Sequence, residues 1–154
     1  MSNRPKVFIT RPIPDEIVAE LRETCDVEMW HTSAISAPTA EKIGPLDGLM
    51  TYGHELITDE MMATAPGLKV IANVGVGYDH IDAQAARARG IEVGNTPGVL
   101  SDATADMTFA LLLAAARNVV PGNRLVQAGE WQYYDPNILW GQDVHGSTRG
   151  MVGM

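Results

Sequence analysis

The chain has a single cysteine, Cys25, in 154 residues. An intrachain disulfide framework and a cysteine-based metal cluster are therefore excluded. Glu23, Asp26 and Glu28 surround Cys25 and offer it neither a base nor a positive field, so it reads as structural rather than nucleophilic. Basic residues are scarce too: 11 Lys and Arg stand against 19 Asp and Glu, a formal net charge of −8. They are scattered rather than striped, and the net field repels phosphate backbones, so a nucleic acid partner is not expected. No apolar run approaches the roughly 20 residues that cross a bilayer. The longest, FALLLAAA, is far shorter, and no hydrophobic signal segment stands at the N-terminus. The expectation is a cytoplasmic protein with no membrane partner. None of the four histidines, His31, His54, His80 and His145, has a second His or a carboxylate at the spacing of a helical zinc site. No metal is assigned.

What is present fits one folded domain. Hydrophobic residues make up 45% of the chain and charged residues 19%, the range of ordinary globular proteins. Short β-branched or apolar runs alternate with helical ones. KVFIT (6–10), DVEMW (26–30), DGLMT (47–51), LKVIANV (68–74) and IEVGN (91–95) predict five strands. IVAELRE, SAPTAEKIG, ITDEMMATA and DAQAARARG predict the helices between them, the last closed by Gly90. Strands alternating with helices through short loops form a parallel sheet, so the fold class is α/β, an open parallel sheet of flavodoxin-like outline over residues 1–97.

The character changes after NTPGV. Ser101 has the chemistry of an N-cap, Asp102 and Asp106 suit the positive end of a helix, and ATADMTFALLLAAARN runs on to Arg117 at the negative end. Apolar residues lie nearly all round this helix, which calls for burial on several sides: within one chain or, more in keeping with a sheet already covered, between two domains or two subunits. Pro121 and Gly122 read as its stop. RLVQAGEW predicts a further helix, ahead of the irregular aromatic stretch WQYYDPNILWGQDVHG.

The loop NVGVGYDHID (73–82) follows the fourth strand at its carboxyl end, where open α/β sheets bind ligands. Gly75 and Gly77 permit close backbone approach, and successive amides there could hold a carboxylate or phosphate; a plain tight turn needs the same glycines. A dinucleotide fingerprint would require Gly or Ala at position 80, where His80 stands. His54 and His80 both follow strand ends and could approach a ligand at the sheet's carboxyl edge, though a lone loop histidine is more often an exposed polar residue than an acid or base. Receiver and flavodoxin chemistries are not supported: ITRP and LMTYG lack the receiver acids, and RPIPDE lacks the Ser, Thr and Gly of a flavin phosphate loop.

The segments NVGVGYDHID, NTPGVLSDATADMTFALLLAAAR and GEW followed by GQDVHGSTRGMVG occur in the order and spacing of the D-isomer-specific 2-hydroxyacid dehydrogenases. The chain resembles that family over essentially its whole length. It is most similar to the glyoxylate/hydroxypyruvate reductase branch, which also opens much like KVFITRPIP. The resemblance implies an NAD- or NADP-dependent oxidoreductase that reduces a small 2-keto acid by hydride transfer. It implies that the backbone amides of Val76 and Gly77 hold the substrate carboxylate, and that Gly53 borders the substrate where close relatives carry a larger apolar residue, giving a wider pocket. Leu100 and Thr104 would lie beside the nicotinamide half of the cofactor, and Gly153 would be the first glycine of the phosphate loop.

The resemblance also implies three segments: the N-terminal part of a substrate-binding domain (1–97), a hinge helix and dimerisation arm (98–145), and the start of a truncated Rossmann domain (146–154), with STRGMVGM as its first strand. A homodimer is expected through residues 101–140, with Trp140 the residue that reaches toward a partner's site. The family's substrate-gripping arginine, its histidine acid/base and the carboxylate paired with it fall beyond residue 154. No catalytic residue is therefore assigned, and the 154 residues alone are expected to be inactive. The alternative is a non-catalytic dimerisation or regulatory module of the same fold.

Overall fold

The computed structural model describes residues 4–31, 38 and 40–151. It divides into two compact units, with the boundary between Gly98 and Val99.

The first unit is built from strands β1 (Lys6–Ile9), β2 (Asp26–Met29), β3 (Gly48–Thr51), β4 (Val70–Asn73) and β5 (Glu92–Gly94). Helices α1 (Asp15–Thr24), α2 (Ala40–Ile43), α3 (Asp59–Ala63) and α4 (Ala83–Ala88) connect them in turn. All pairings are parallel, and the strand order is β2-β1-β3-β4-β5. That is the flavodoxin-like order, in which the direction of winding reverses between β1 and β3 and leaves a crevice at their carboxyl ends. Of the segment SAPTAEKIG, residues 36, 37 and 39 lie outside the described residues.

Strand alternation sorts the core onto two faces. Phe8, Leu49 and Ile71 join Ile43, Met62 and Ala86 from α2, α3 and α4 in the larger cluster. Ile9 joins Ile13 and Val18, with Leu21, Val27, Met29, Met50 and Tyr52 packed around them, under α1. The Phe8 ring meets Trp30 edge-on at 5.1 Å, and the Lys42 ammonium lies 4.8 Å from its centroid. Local chemistry sets the helix starts. Thr58 accepts the Met61 amide at 3.3 Å and Asp82 accepts the Ala85 amide at 2.9 Å, each supplying a partner for a helix N–H that has none within the helix. α4 runs out into Gly90 at φ +75°.

The second unit contains α5 (Ser101–Ala116) and α6 (Val119–Gln127), followed by irregular chain. Two expectations are corrected here. Ser101 is the first helical residue rather than the cap; Leu100 holds the cap position, with no side-chain hydrogen bond. Pro121 and Gly122 lie in the opening turns of α6. The break comes earlier, at Asn118 in the left-handed conformation (φ +53°), and proline is tolerated in a first turn because the N–H it lacks would have no helical partner there. Asn118 Nδ2 donates to the Trp140 carbonyl at 2.7 Å and the Gln142 amide donates to the Ala116 carbonyl at 2.7 Å, folding the later segment back onto the α5–α6 corner. A Cβ on Gly141 would stand 2.4 Å from the Ala116 oxygen, so only glycine permits that approach.

Over residues 147–151 the expected Rossmann strand does not form. Instead the Ser147 hydroxyl and an Arg149 guanidinium nitrogen both donate to the Val144 carbonyl. A strand takes its hydrogen bonds from a neighbour, and no described residue pairs with this segment. No single helix among the described residues is long and apolar enough to cross a membrane; α5 and α6 reach that length and composition only as a pair bent by 63°.

Candidate functional site

The carboxyl ends of β1, β3 and β4 come together at one edge of the sheet. The buried polar or charged side chains among the described residues, Thr10, Thr51, Glu55 and Asn73, all lie there. Burying such groups is costly unless they are paired. Three of the four also occupy one row: Thr51 is in register with Asn73 on β4, and the Thr10 amide continues the β1–β3 ladder by donating to Met50.

Glu55 anchors this edge. Arg11 Nε donates to Glu55 Oε1 at 3.3 Å, Thr51 Oγ1 donates to Oε2 at 2.8 Å, and the His54 amide reaches the same oxygen at 3.4 Å. Burial pushes the Glu55 carboxyl up. Hydrogen bonds from Thr51, its own backbone amide, Arg11 and the Tyr52 amide outweigh that and hold it below its ordinary value. Glu55 is thus a committed anion. It ties the segment after β1 to the loop after β3 across the switch point and has no proton to offer a ligand.

Within that second loop, Gly53 adopts φ +91°. A Cβ placed there would meet only His80 Cε1, at 3.7 Å, so room exists for a side chain while the backbone conformation resists one. The two histidines differ. His54 is exposed as expected, whereas the His80 ring lies against Gly53 and its Nε2 is buried without a hydrogen-bond partner. The His80 carbonyl accepts the Ile57 amide at 2.8 Å, and the Asp82 amide donates to the Ile57 carbonyl at 2.9 Å. This short parallel bridge locks the loops after β3 and β4 together.

The loop after β4 has a marked polarity. Asn73 Nδ2 donates to the Gly75 carbonyl at 3.1 Å and the Gly77 carbonyl at 2.8 Å, and Asn95 Nδ2 donates to the Val76 carbonyl at 2.8 Å. The Thr96 amide adds a bond to Gly75 at 3.1 Å, and the Ile81 amide bonds Tyr78 at 2.9 Å. Four consecutive carbonyls, residues 75–78, are therefore taken. The amides of Val76 and Gly77 donate to no acceptor among the described residues, and both residues are exposed. Two adjacent exposed amides, with the carbonyls of residues 75–78 tied back, make a concavity suited to a small anion.

The remaining expected residues lie in the second unit. Leu100 and Thr104 are both exposed at the start of α5, where the Thr104 amide donates to the Leu100 carbonyl at 2.9 Å. Trp140 is 77% exposed, with its indole N–H on the Pro136 carbonyl. Gly153 lies outside the described residues. No group of three or more potential metal ligands occurs among the described residues. Sequence reasoning missed Arg11, Glu55, Asn73 and Asn95. The available signal was a polar or charged residue at a strand's carboxyl end or within four residues after it, in ITRP, TYGHE, IANV and EVGN.

Residues 7–151 match the model of the D-isomer specific 2-hydroxyacid dehydrogenase catalytic domain. The glyoxylate reductase of Pyrococcus horikoshii is 45% identical over 98% of this chain and 47% of its own length. The crystal structure of a Thermus thermophilus protein superposes with a TM-score of 0.79 at 41% identity, over 90% of this chain and 45% of that one. The NADPH-dependent glyoxylate/hydroxypyruvate reductase of Sinorhizobium meliloti, in complex with NADP and malonate, gives a TM-score of 0.74 at 28% identity, over 95% of this chain and 45% of that one. The chain spans about half the length of the curated relatives it matches.

Proposed function

The chain belongs to the D-isomer specific 2-hydroxyacid dehydrogenase family, and from that premise we propose that it provides the carboxylate-binding side of a pyridine-nucleotide-dependent reductase of small 2-keto acids. The glyoxylate and glyoxylate/hydroxypyruvate reductases among its relatives suggest glyoxylate or hydroxypyruvate as the substrate class. One observation carries this reading: the amides of Val76 and Gly77 face outward while all four carbonyls of residues 75–78 are tied back. An anionic carboxylate accepts hydrogen bonds from such a pair without displacing any existing partner. Gly53, on a loop bridged to this one, would border the rest of the substrate.

A bound NAD or NADP would supply the hydride. The exposed Leu100 and Thr104 offer apolar and hydroxyl surface suited to its nicotinamide end. No glycine-rich strand-to-helix turn of the kind that cradles a pyrophosphate occurs in the second unit among the described residues, so these residues do not by themselves hold the cofactor's phosphates. Reduction of a ketone also needs a proton donor at the carbonyl oxygen, and Glu55 is already committed to Arg11 and Thr51. The 154 residues alone should therefore bind the keto acid without turning it over. In a test with glyoxylate or hydroxypyruvate, saturable chemical shift changes at the Val76 and Gly77 amides without NADH or NADPH oxidation are expected. Binding that leaves those two amides unmoved would sink the reading.

The second unit favours a dimer through residues 101–140. None of the residues in α5 or α6 is buried, although Met107, Phe109, Leu111 and Leu113 lie on α5. A compact monomer in light scattering would count against it.

A further inference from the structure

We infer that Asn73 and Asn95 are positioning residues for the substrate carboxylate: they act on it through the backbone of residues 75–77 and do not touch it. The inference deepens the carboxylate reading above and rests on it. A trans peptide points its C=O and the following N–H in opposite directions, and no peptide bond among the described residues is cis. The Asn73 bond to the Gly75 carbonyl, together with that from the Thr96 amide, therefore sets the direction of the Val76 N–H. The Asn95 bond to the Val76 carbonyl sets the direction of the Gly77 N–H. Each amide proposed to grip the ligand is aimed by a different side chain.

Asn73 carries a second mark of this role. It is 3% exposed, and its Oδ1 has no partner while its Nδ2 serves two carbonyls. Rotating the amide would turn its oxygen toward the carbonyls of Gly75 and Gly77 and lose both bonds, so the orientation is fixed by the loop. A buried acceptor left unpaired is unfavourable. An apolar residue at the end of β4 would remove that cost but would let the loop turn. Asn95 approaches from the end of β5, 19 residues away in sequence, so the aim of Gly77 depends on the neighbouring strand as well as on its own turn.

The test uses the 15N-labelled 154-residue chain, weakly aligned and free of ligand, followed by titration with glyoxylate and with its neutral analogue glyoxylamide. In Asn95→Ala the N–H residual dipolar coupling of Gly77 should change while those of β4 and α4 stay. Glyoxylate should then bind about tenfold more weakly, the loss expected when one hydrogen bond no longer orients the donor. Glyoxylamide should titrate alike in both proteins, and Asn95→Gln, which keeps a donor, should recover most of the affinity. Asn73→Ala should act in the same way on Val76; because Asn73 is buried, Asn95→Ala carries the test if that variant fails to fold. An unchanged Gly77 coupling in Asn95→Ala overturns the inference whether or not glyoxylate binds. A changed coupling, in a chain whose Val76 and Gly77 amides do not respond to glyoxylate, overturns the carboxylate reading instead.

Discussion

The residues before Val99 and those after it treat their apolar side chains in opposite ways. In the first unit Phe8, Ile9 and Ile71 are wholly buried, and two core clusters fill the faces of a five-stranded sheet. In the second, sixteen residues of α5 include none that is buried. Composition does not account for the contrast, since α5 is the more apolar of the two kinds of segment. Topology does: a parallel sheet brings five distant segments into contact, whereas a helix and its successor, meeting at one corner, have too little surface to cover each other. Apolar helices of this kind are commonly completed by surfaces outside themselves, and the proposed dimer surface therefore lies in a different unit from the proposed anion site.

Three substitutions would break or sharpen this contrast. Phe8→Ala removes a ring packed against Trp30 and under Lys42 and should cost about 3–5 kcal/mol in denaturant unfolding of the first unit. A loss below about 1 kcal/mol would mean that the sheet is not the stable half.

Glu55→Gln should cost about 2 kcal/mol at neutral pH, because it leaves Arg11 without its buried anion. It should also change the acid response. Glu55 is held below its ordinary value of 4.5 in the folded chain, so its contribution is complete above that value and is lost as the pH falls through the lower, folded one. Unfolding midpoints measured from pH 7 down to pH 3 should fall more steeply for the unaltered chain than for Glu55→Gln. Parallel curves would show that Glu55 contributes nothing to acid sensitivity.

Leu111→Ser, on the exposed surface of α5, should change the stability of the first unit by less than about 0.5 kcal/mol while converting a dimer to monomers in light scattering. A loss of folding with no change in mass would place Leu111 in an internal core instead.

Much of the first unit is legible in the sequence because its signals are local. KVFIT and LKVIANV are strand runs, ITDEMMATA and DAQAARARG are helical runs, and the loop NVGVGYDHID lies where sheets of this class bind ligands. The machinery behind that loop is not legible. Arg11 meets Glu55 across 44 residues and Asn95 meets Val76 across 19, and only the strand order brings them together. Local signals also mislead where two chemistries overlap. Ser101 has a capping hydroxyl but sits one residue inside the helix, and Pro121, read as a stop, sits in the first turn of α6 because Asn118 had already turned the chain. His80 looks like a solvated loop histidine, yet the bridge between Ile57 and Ile81 draws its ring in against Gly53.

That glycine bears on how the proposed keto-acid site could be redesigned. At φ +91° the obstacle to a larger residue at position 53 is torsional, not spatial, since the nearest atom would be 3.7 Å away. Placing a larger side chain at position 53 would therefore not simply fill the space beside His80. The turn from Tyr52 to His54 would first have to be re-threaded, so a redesign of the proposed substrate side should transplant the whole loop together with the Arg11–Glu55 pair that holds it.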